Sequence, residues 1–303
     1  MKTALFVALG VFGALYVAAL ARAVLRARRA GAGREAEPAL AEVALGFGTA
    51  FFDTLGIGSF APTTAVLKLR SLVADENIPG TLNIGHTLAT LTQAYIFIAI
   101  VSVDMTTLVW MIVAACLGAW LGAGVVARAP RRKIQIGMGL ALLAAAALFL
   151  MQIFQVTPPS GETEGLTGWQ LGAGLAGNLV LGALMEVGVG LYAPCMILVS
   201  LLGMNLKAAF PIMMGSCAFL MPVGSVKFIQ SERYGLRTTL GLALGGVPAV
   251  LLAAFIVKSL PLGAMRWLVV GVVLYAALSM LRSAAVEARV KTAAAPVVAD
   301  PAP

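Results

Sequence analysis

Charged residues are scarce in this chain. Asp, Glu, Lys and Arg make up 11% of its 303 residues, where a soluble domain carries about 25%. Apolar residues reach 60% and the mean hydropathy is +0.97, which excludes a soluble globular protein. Histidine occurs once, as His86, and cysteine three times, as Cys116, Cys195 and Cys217. The cysteines are odd in number and scattered through apolar segments, so no disulfide framework or C-x-x-C metal site is readable. Each reads first as a small buried hydrophobe. No P-loop G-K-[ST], H-E-x-x-H or nucleophile–base pair occurs. These absences argue against an enzyme and against a metal site or cofactor, and an intramembrane metal transporter would want clustered ligands.

Several runs of about 20 apolar residues, without ten-residue alternation, make the chain an all-α polytopic membrane protein rather than a barrel. The net charge of +8 does not point to nucleic acid, because Lys and Arg lie in short interhelical segments, where a basic excess records orientation in the bilayer. Residues 3–21 form a first apolar helix, followed by Arg22, Arg26, Arg28, Arg29 and Arg34. That cluster belongs in the cytoplasm and puts the N-terminus outside. A cleaved signal peptide would carry its charge ahead of the apolar run, where only Lys2 stands. The next apolar segments are 40–52, 57–67, 79–101, 106–126, 134–154, 169–187, 191–203, 208–226, 239–257 and 264–281.

The two short pairs among these are joined at glycine breaks. Asp53-Thr-Leu-Gly56-Ile-Gly58-Ser59-Phe-Ala-Pro62 and Glu186-Val-Gly188-Val-Gly190-Leu-Tyr-Ala-Pro194 share the spacing G-x-G-x-x-x-P. Charge counting separates two readings of each pair. If both pairs turn back as hairpins, 17 of the 21 Lys and Arg residues fall in cytoplasmic segments; if each crosses once, they divide 11 to 10. The positive-inside rule prefers hairpins. Each half is then a broken helical hairpin plus three transmembrane helices, an odd number of crossings, so the halves are inverted-topology repeats, a recurrent transporter architecture. The organisation expected is an N-terminal transmembrane helix and basic segment over 1–29, a first repeat over 40–155, an extracytoplasmic linker over 156–168 and a second repeat over 169–282. A disordered cytoplasmic tail over 283–303 completes it. The repeat continues in Gly85-His86-Thr87 and Gly215-Ser216-Cys217, each in the helix after its hairpin and each near mid-membrane.

A half-helix that starts inside the membrane presents unpaired N–H groups and partial positive charge, which suits an anion. Pro62 and Pro194 stand near the expected starts of the return helices, where proline costs least. Thr63 and Cys195 fall in their first turns, with Ser59 just before one. Gly56, Gly58, Gly188 and Gly190 allow a sharp turn and close approach of a ligand; ordinary small-residue helix packing is the alternative, and it suffices for Gly172 and Gly182. Asp53 and Glu186 are candidate sites for a coupling proton or Na⁺, or else structural carboxylates at a turn. His86 is a further candidate for the site, or a histidine satisfied by a neighbouring carbonyl. Asn83 can face the same way as His86, and Thr87 and Ser216 complete the polar positions. Gln93 and Asn178 read as interhelical hydrogen-bond partners. Lys68 and Lys227 read as snorkelling lysines.

In the two Gly-x-Gly-x-x-x-Pro breaks and the triplets Gly85-His86-Thr87 and Gly215-Ser216-Cys217, residues 40 to 282 resemble the sulfite exporter TauE/SafE family of anion transporters. His86 and Cys217 stand where that family commonly has hydroxyl residues. The resemblance implies a secondary transporter of small anions, sulfur-containing or organic, of the sulfite or sulfonate type. It would lie in a bacterial-type inner membrane, work by alternating access and be coupled to H⁺ or Na⁺. The competing expectation is a non-transporting membrane scaffold or assembly component, which would want partner-binding surface outside the bilayer. The loops here are short.

Overall fold

The computed structural model describes residues 1–31, 37–156, 161–188 and 190–256, with isolated positions between 270 and 286. Among the described residues the regular structure is helical, apart from one isolated bridge between Thr163 and Met204. The helices are α1 (Lys2–Arg29), α2 (Leu40–Thr54), α3 (Phe60–Leu69), α4 (Ile78–Ile100), α5 (Met105–Val126), α6 (Arg131–Ile153), α7 (Gly168–Met185), α8 (Tyr192–Leu201), α9 (Leu206–Gln230) and α10 (Leu236–Ile256). A 3₁₀ turn, Asp75–Asn77, leads into α4.

Each helix falls on one of the expected apolar segments, though α3 begins at Phe60 and not at 57, and α7 and α8 stop short of 187 and 203. The first extends further than its apolar run, through Arg22, Arg26 and Arg28 to Arg29. Arginine is a good helix former, and its charge is favourable in a last turn. The segment 264–281 and residues 157–160 of the linker lie largely or wholly outside the described residues. So does the tail, except that 284–286 are helical.

Four described helices, α1, α5, α9 and α10, are long and apolar enough to cross a membrane. α4 is long enough, but His86, Gln93, Asn83 and several threonines lower its hydropathy. These side chains are buried within the protein, so their helix faces neighbours rather than lipid. α9 is the centre of the bundle, with 83% of its apolar window buried, whereas α1 at 22% lies on the outside. α1 is held there by Tyr16, which donates to the Ile84 carbonyl at 2.5 Å, and by Phe12 edge-on to Phe219.

Glycines set the register of the main pairs by letting backbones approach closely. Gly241 abuts Glu42, Gly245 abuts Val43 and Gly246 faces Ala50, so α2 and α10 run in the same direction. An ion pair of Arg237 with Glu42, 3.0 Å, fastens their first turns. Asn178 donates to the Met111 carbonyl at 2.7 Å, and Gly182 rests on the Ala115 backbone, so α5 and α7 also run together. Gly182 is thus a packing glycine, as expected; Gly172 instead faces open space. α4 runs with α10, through Gly235 N–H to Thr81 Oγ1 and Gly85 on Leu242. α5 runs with α9, through Gly215 on Ile112 and Lys227 on the Trp120 carbonyl. α4 and α9 pack antiparallel, with Phe97 stacked on Phe210 near one end and Gly80 against Phe228 near the other.

Candidate functional site

Two helix breaks meet at the centre of this bundle. The first spans residues 55–59 between α2 and α3, the second 186–191 between α7 and α8. Gly56, Gly58 and Gly188 have φ of +86°, +89° and +103°, a region that side chains penalise. Gly190 is not in that region; a Cβ there would sit 3.8 Å from Cβ of Phe60, an ordinary contact. Gly190 and Phe60 are thus where one break touches the other.

The half-helices α3 and α8 start at this junction. Ser59 and Leu191 are their N-caps, and neither forms a side-chain capping bond. Pro62 and Pro194 are the third residue of their helices, where an N–H has no intrahelical acceptor in any case. The amides of Thr63 and Cys195 already bond to the Ser59 and Leu191 carbonyls. The donors left to face the junction are therefore those of the residues before each proline.

A cavity of about 10 Å³ lies between the breaks, roughly the room that one water molecule needs. Asp53, Gly58, Ser59 and Phe60 line it from the first break; Met185, Gly190, Leu191 and Tyr192 line it from the second; Thr90 of α4 and Cys217 of α9 complete it. Gln93 ties the two breaks together. Its amide donates to Asp53 Oδ2 at 2.8 Å and to Thr54 Oγ1 at 3.0 Å, while its carbonyl accepts from the Tyr192 hydroxyl. One α4 side chain thereby holds α2 and α8 in register.

The other candidates do not line this cavity. His86 Nε2 and Thr63 Oγ1 are 3.0 Å apart, and Nδ1 of His86 has no partner. Thr90 Oγ1 donates to the His86 carbonyl at 3.0 Å. Asn83 donates to the Pro79 carbonyl, and Thr87 donates to the Asn83 carbonyl and lies 3.5 Å from Ser225 Oγ. Ser216 accepts from Asn178, 3.0 Å away. Cys217 Sγ contacts Met185 Sδ at 3.6 Å, and Cys195 is buried in α8. Gly56 faces the Phe210 ring, while Gly188 lies against Met138 and Leu82.

Gln93 and Asn178 make interhelical bonds, as expected of them. Lys68 is not free at the surface: it pairs with buried Asp75 at 2.7 Å, and Gln135 donates to the same carboxylate. Lys227 sits over the Trp120 ring.

Glu186 differs from Asp53. It is fully buried, both of its carboxylate oxygens lack a hydrogen-bond partner among the described residues, and it lies against Gly224 of α9. The sequence reading did not single out Thr90 or Tyr192. The signal for Thr90 was available, since Asn83, His86, Thr87 and Thr90 follow the i, i+3, i+4, i+7 spacing of one helix face. Tyr192 looked like part of an apolar run and carried no such signal.

These features define a multi-pass α-helical membrane protein with an enclosed polar centre at two helix breaks. Residues 1–150, just under half of the chain, match the family model described as Sulfite exporter TauE/SafE. The match takes in α1, which the motif resemblance left aside, together with the first break and the Gly85-His86-Thr87 triplet. Neither a search of curated proteins nor one of solved structures gives a match.

Proposed function

We propose that this protein is a secondary transporter of small anions, sulfur-containing or organic, that works by alternating access. The observation that carries the reading is the meeting of two helix breaks at one small polar cavity, each contributing the start of a half-helix. Helix starts favour anions through their unpaired N–H groups and dipoles. Ser59, Thr90, Tyr192 and the glycine backbone add hydrogen-bonding capacity to the lining.

The register of the helices supports an inverted repeat. α2 and α4 both run with α10, so α3 between them must return toward the side from which α2 came. By the same logic α8 returns between α7 and α9, which both run with α5. α4 and α9 are antiparallel, so the two hairpins enter from opposite faces. Exchanging α2, α4 and α5 for α7, α9 and α10 maps each close pair onto another, as a two-fold repeat requires. With the basic C-terminal end of α1, Arg22 to Arg29, in the cytoplasm, the N-terminus lies outside and the C-terminus inside.

Space for about one water is too small for a three-oxygen anion. The breaks must part before substrate binds, so the conformation described is the closed member of the cycle. Asp53 and Glu186 are the candidate carboxylates, one or both, through which H⁺ or Na⁺ couples to that opening.

The test is uptake of labelled sulfite, methanesulfonate, acetate and chloride into proteoliposomes holding the purified full chain. Saturable uptake of at least one sulfur oxyanion, in excess over chloride, is expected. Uptake of every probe at the rate of protein-free vesicles would overturn the proposal.

A further inference from the structure

The two carboxylates at the breaks are not equivalent, and we infer that Glu186 alone takes up and releases the coupling proton while Asp53 is a fixed acceptor that holds the site together. This assignment deepens the transport reading above and rests on it.

Asp53 has a built environment. Gln93 donates to its Oδ2 at 2.8 Å, and Gln93 is itself held by Thr54 and Tyr192. A proton on Oδ2 of Asp53 would compete with the Gln93 N–H for that oxygen and disturb the contacts that join α2, α4 and α8.

Glu186 has the opposite environment. Where Asp53 meets the glutamine of α4, Glu186 meets Gly224 of α9, which has no side chain to donate; even a methyl group there would collide with both carboxylate oxygens. Its oxygens have no partner among the described residues, and it is completely buried. An ionised carboxylate in that condition loses its hydration without compensation. A proton removes the charge and needs no ligand shell, whereas Na⁺ would need several oxygens. Gly188, two residues beyond Glu186, is packed by Leu82 and Met138, which supply no oxygen there.

Gly224 lies seven residues beyond Cys217 along α9, about 10 Å further from the cavity toward Lys227. Among the described residues, the charged and titratable groups that interact with Glu186 are Lys227 and Cys217, both on α9. The ammonium of Lys227 is directed to the Trp120 carbonyl and ring and makes no ion pair with Glu186. Opening of the second break would wet Glu186 and release its proton to water; closing would return one. The carboxylate O–H bond is the only bond formed or broken.

The experiment has a spectroscopic arm and a transport arm. Infrared difference spectra of the purified full chain in lipid, recorded through a pH titration without substrate, read the C=O stretch of protonated carboxylic acids. A titrating band is expected in the wild type and in Asp53→Asn, and not in Glu186→Gln; Glu186→Asp restores it with a shifted frequency. Absence of the band in the wild type, its persistence in Glu186→Gln or its loss in Asp53→Asn alone would each overturn the assignment.

In proteoliposomes, uptake of methanesulfonate, which stays ionised throughout, is followed with and without an imposed pH gradient. The stimulation by the gradient is expected to fall about tenfold in Glu186→Gln, within the usual range of coupling energies, and to recover in Glu186→Asp. Undiminished stimulation in Glu186→Gln would overturn the assignment and leave the transport reading intact. Failure of the wild type to move any anion would sink the transport reading, whatever the infrared result.

Discussion

At the scale of single residues, Gln93 and the break glycines are the most exposed to test. Gln93→Leu strips Asp53 and Tyr192 of their shared partner inside the bundle. Leaving buried polar groups unpaired costs about 1–3 kcal/mol each, so the variant should unfold at lower temperature in detergent and lose uptake in vesicles. An unshifted melting curve would show that the link is dispensable. The glycines separate by backbone conformation. Gly58 has φ of +89° with nothing near its missing side chain, so Gly58→Ala tests strain alone and should cost about 1–2 kcal/mol. Gly190→Ala, in an ordinary conformation, should melt within a degree or so of wild type. Equal losses for both would contradict the geometry. The sequence made these glycines visible as a repeat, but identical spacing concealed that only three of the four have positive φ. Gln93 and Tyr192 were hard to value for a related reason, because a lone polar residue in an apolar run acquires meaning only from the helix that packs on it.

At the scale of elements, the helices and both breaks were readable because lipid demands long apolar runs and glycine with proline interrupts them. Which faces meet was not readable, since Gly172 and Gly182 are alike on paper while one faces open space and the other rests on Ala115. That difference is a prediction. Gly118 of α5 abuts the Leu179 backbone, and Gly118→Val should force α5 from α7 and abolish a monodisperse peak in size-exclusion chromatography. Gly172→Val should elute as wild type. If both variants elute normally, close backbone approach is not what joins these helices. The length of α4 illustrates the same limit: a helix whose polar side chains are buried against its neighbours can carry His86, Gln93 and a row of threonines, and hydropathy alone underrates it as a crossing.

At the scale of the whole molecule, the two halves touch at Phe60 and Gly190, where the separation of 3.8 Å between Cβ positions equals the mean for a disulfide. Phe60→Cys combined with Gly190→Cys should therefore cross-link under mild oxidation, detected as a joined peptide by mass spectrometry, and should arrest transport reversibly with reductant. Cross-linking that leaves uptake at full rate would mean that the breaks need not separate. The water-sized cavity at that contact also bears on the energy economy of the membrane around it. A protein that narrows to a single water molecule at its centre does not short-circuit the bilayer, so an idle copy leaves ion gradients standing and many copies can wait in one membrane without draining the supply on which they all draw.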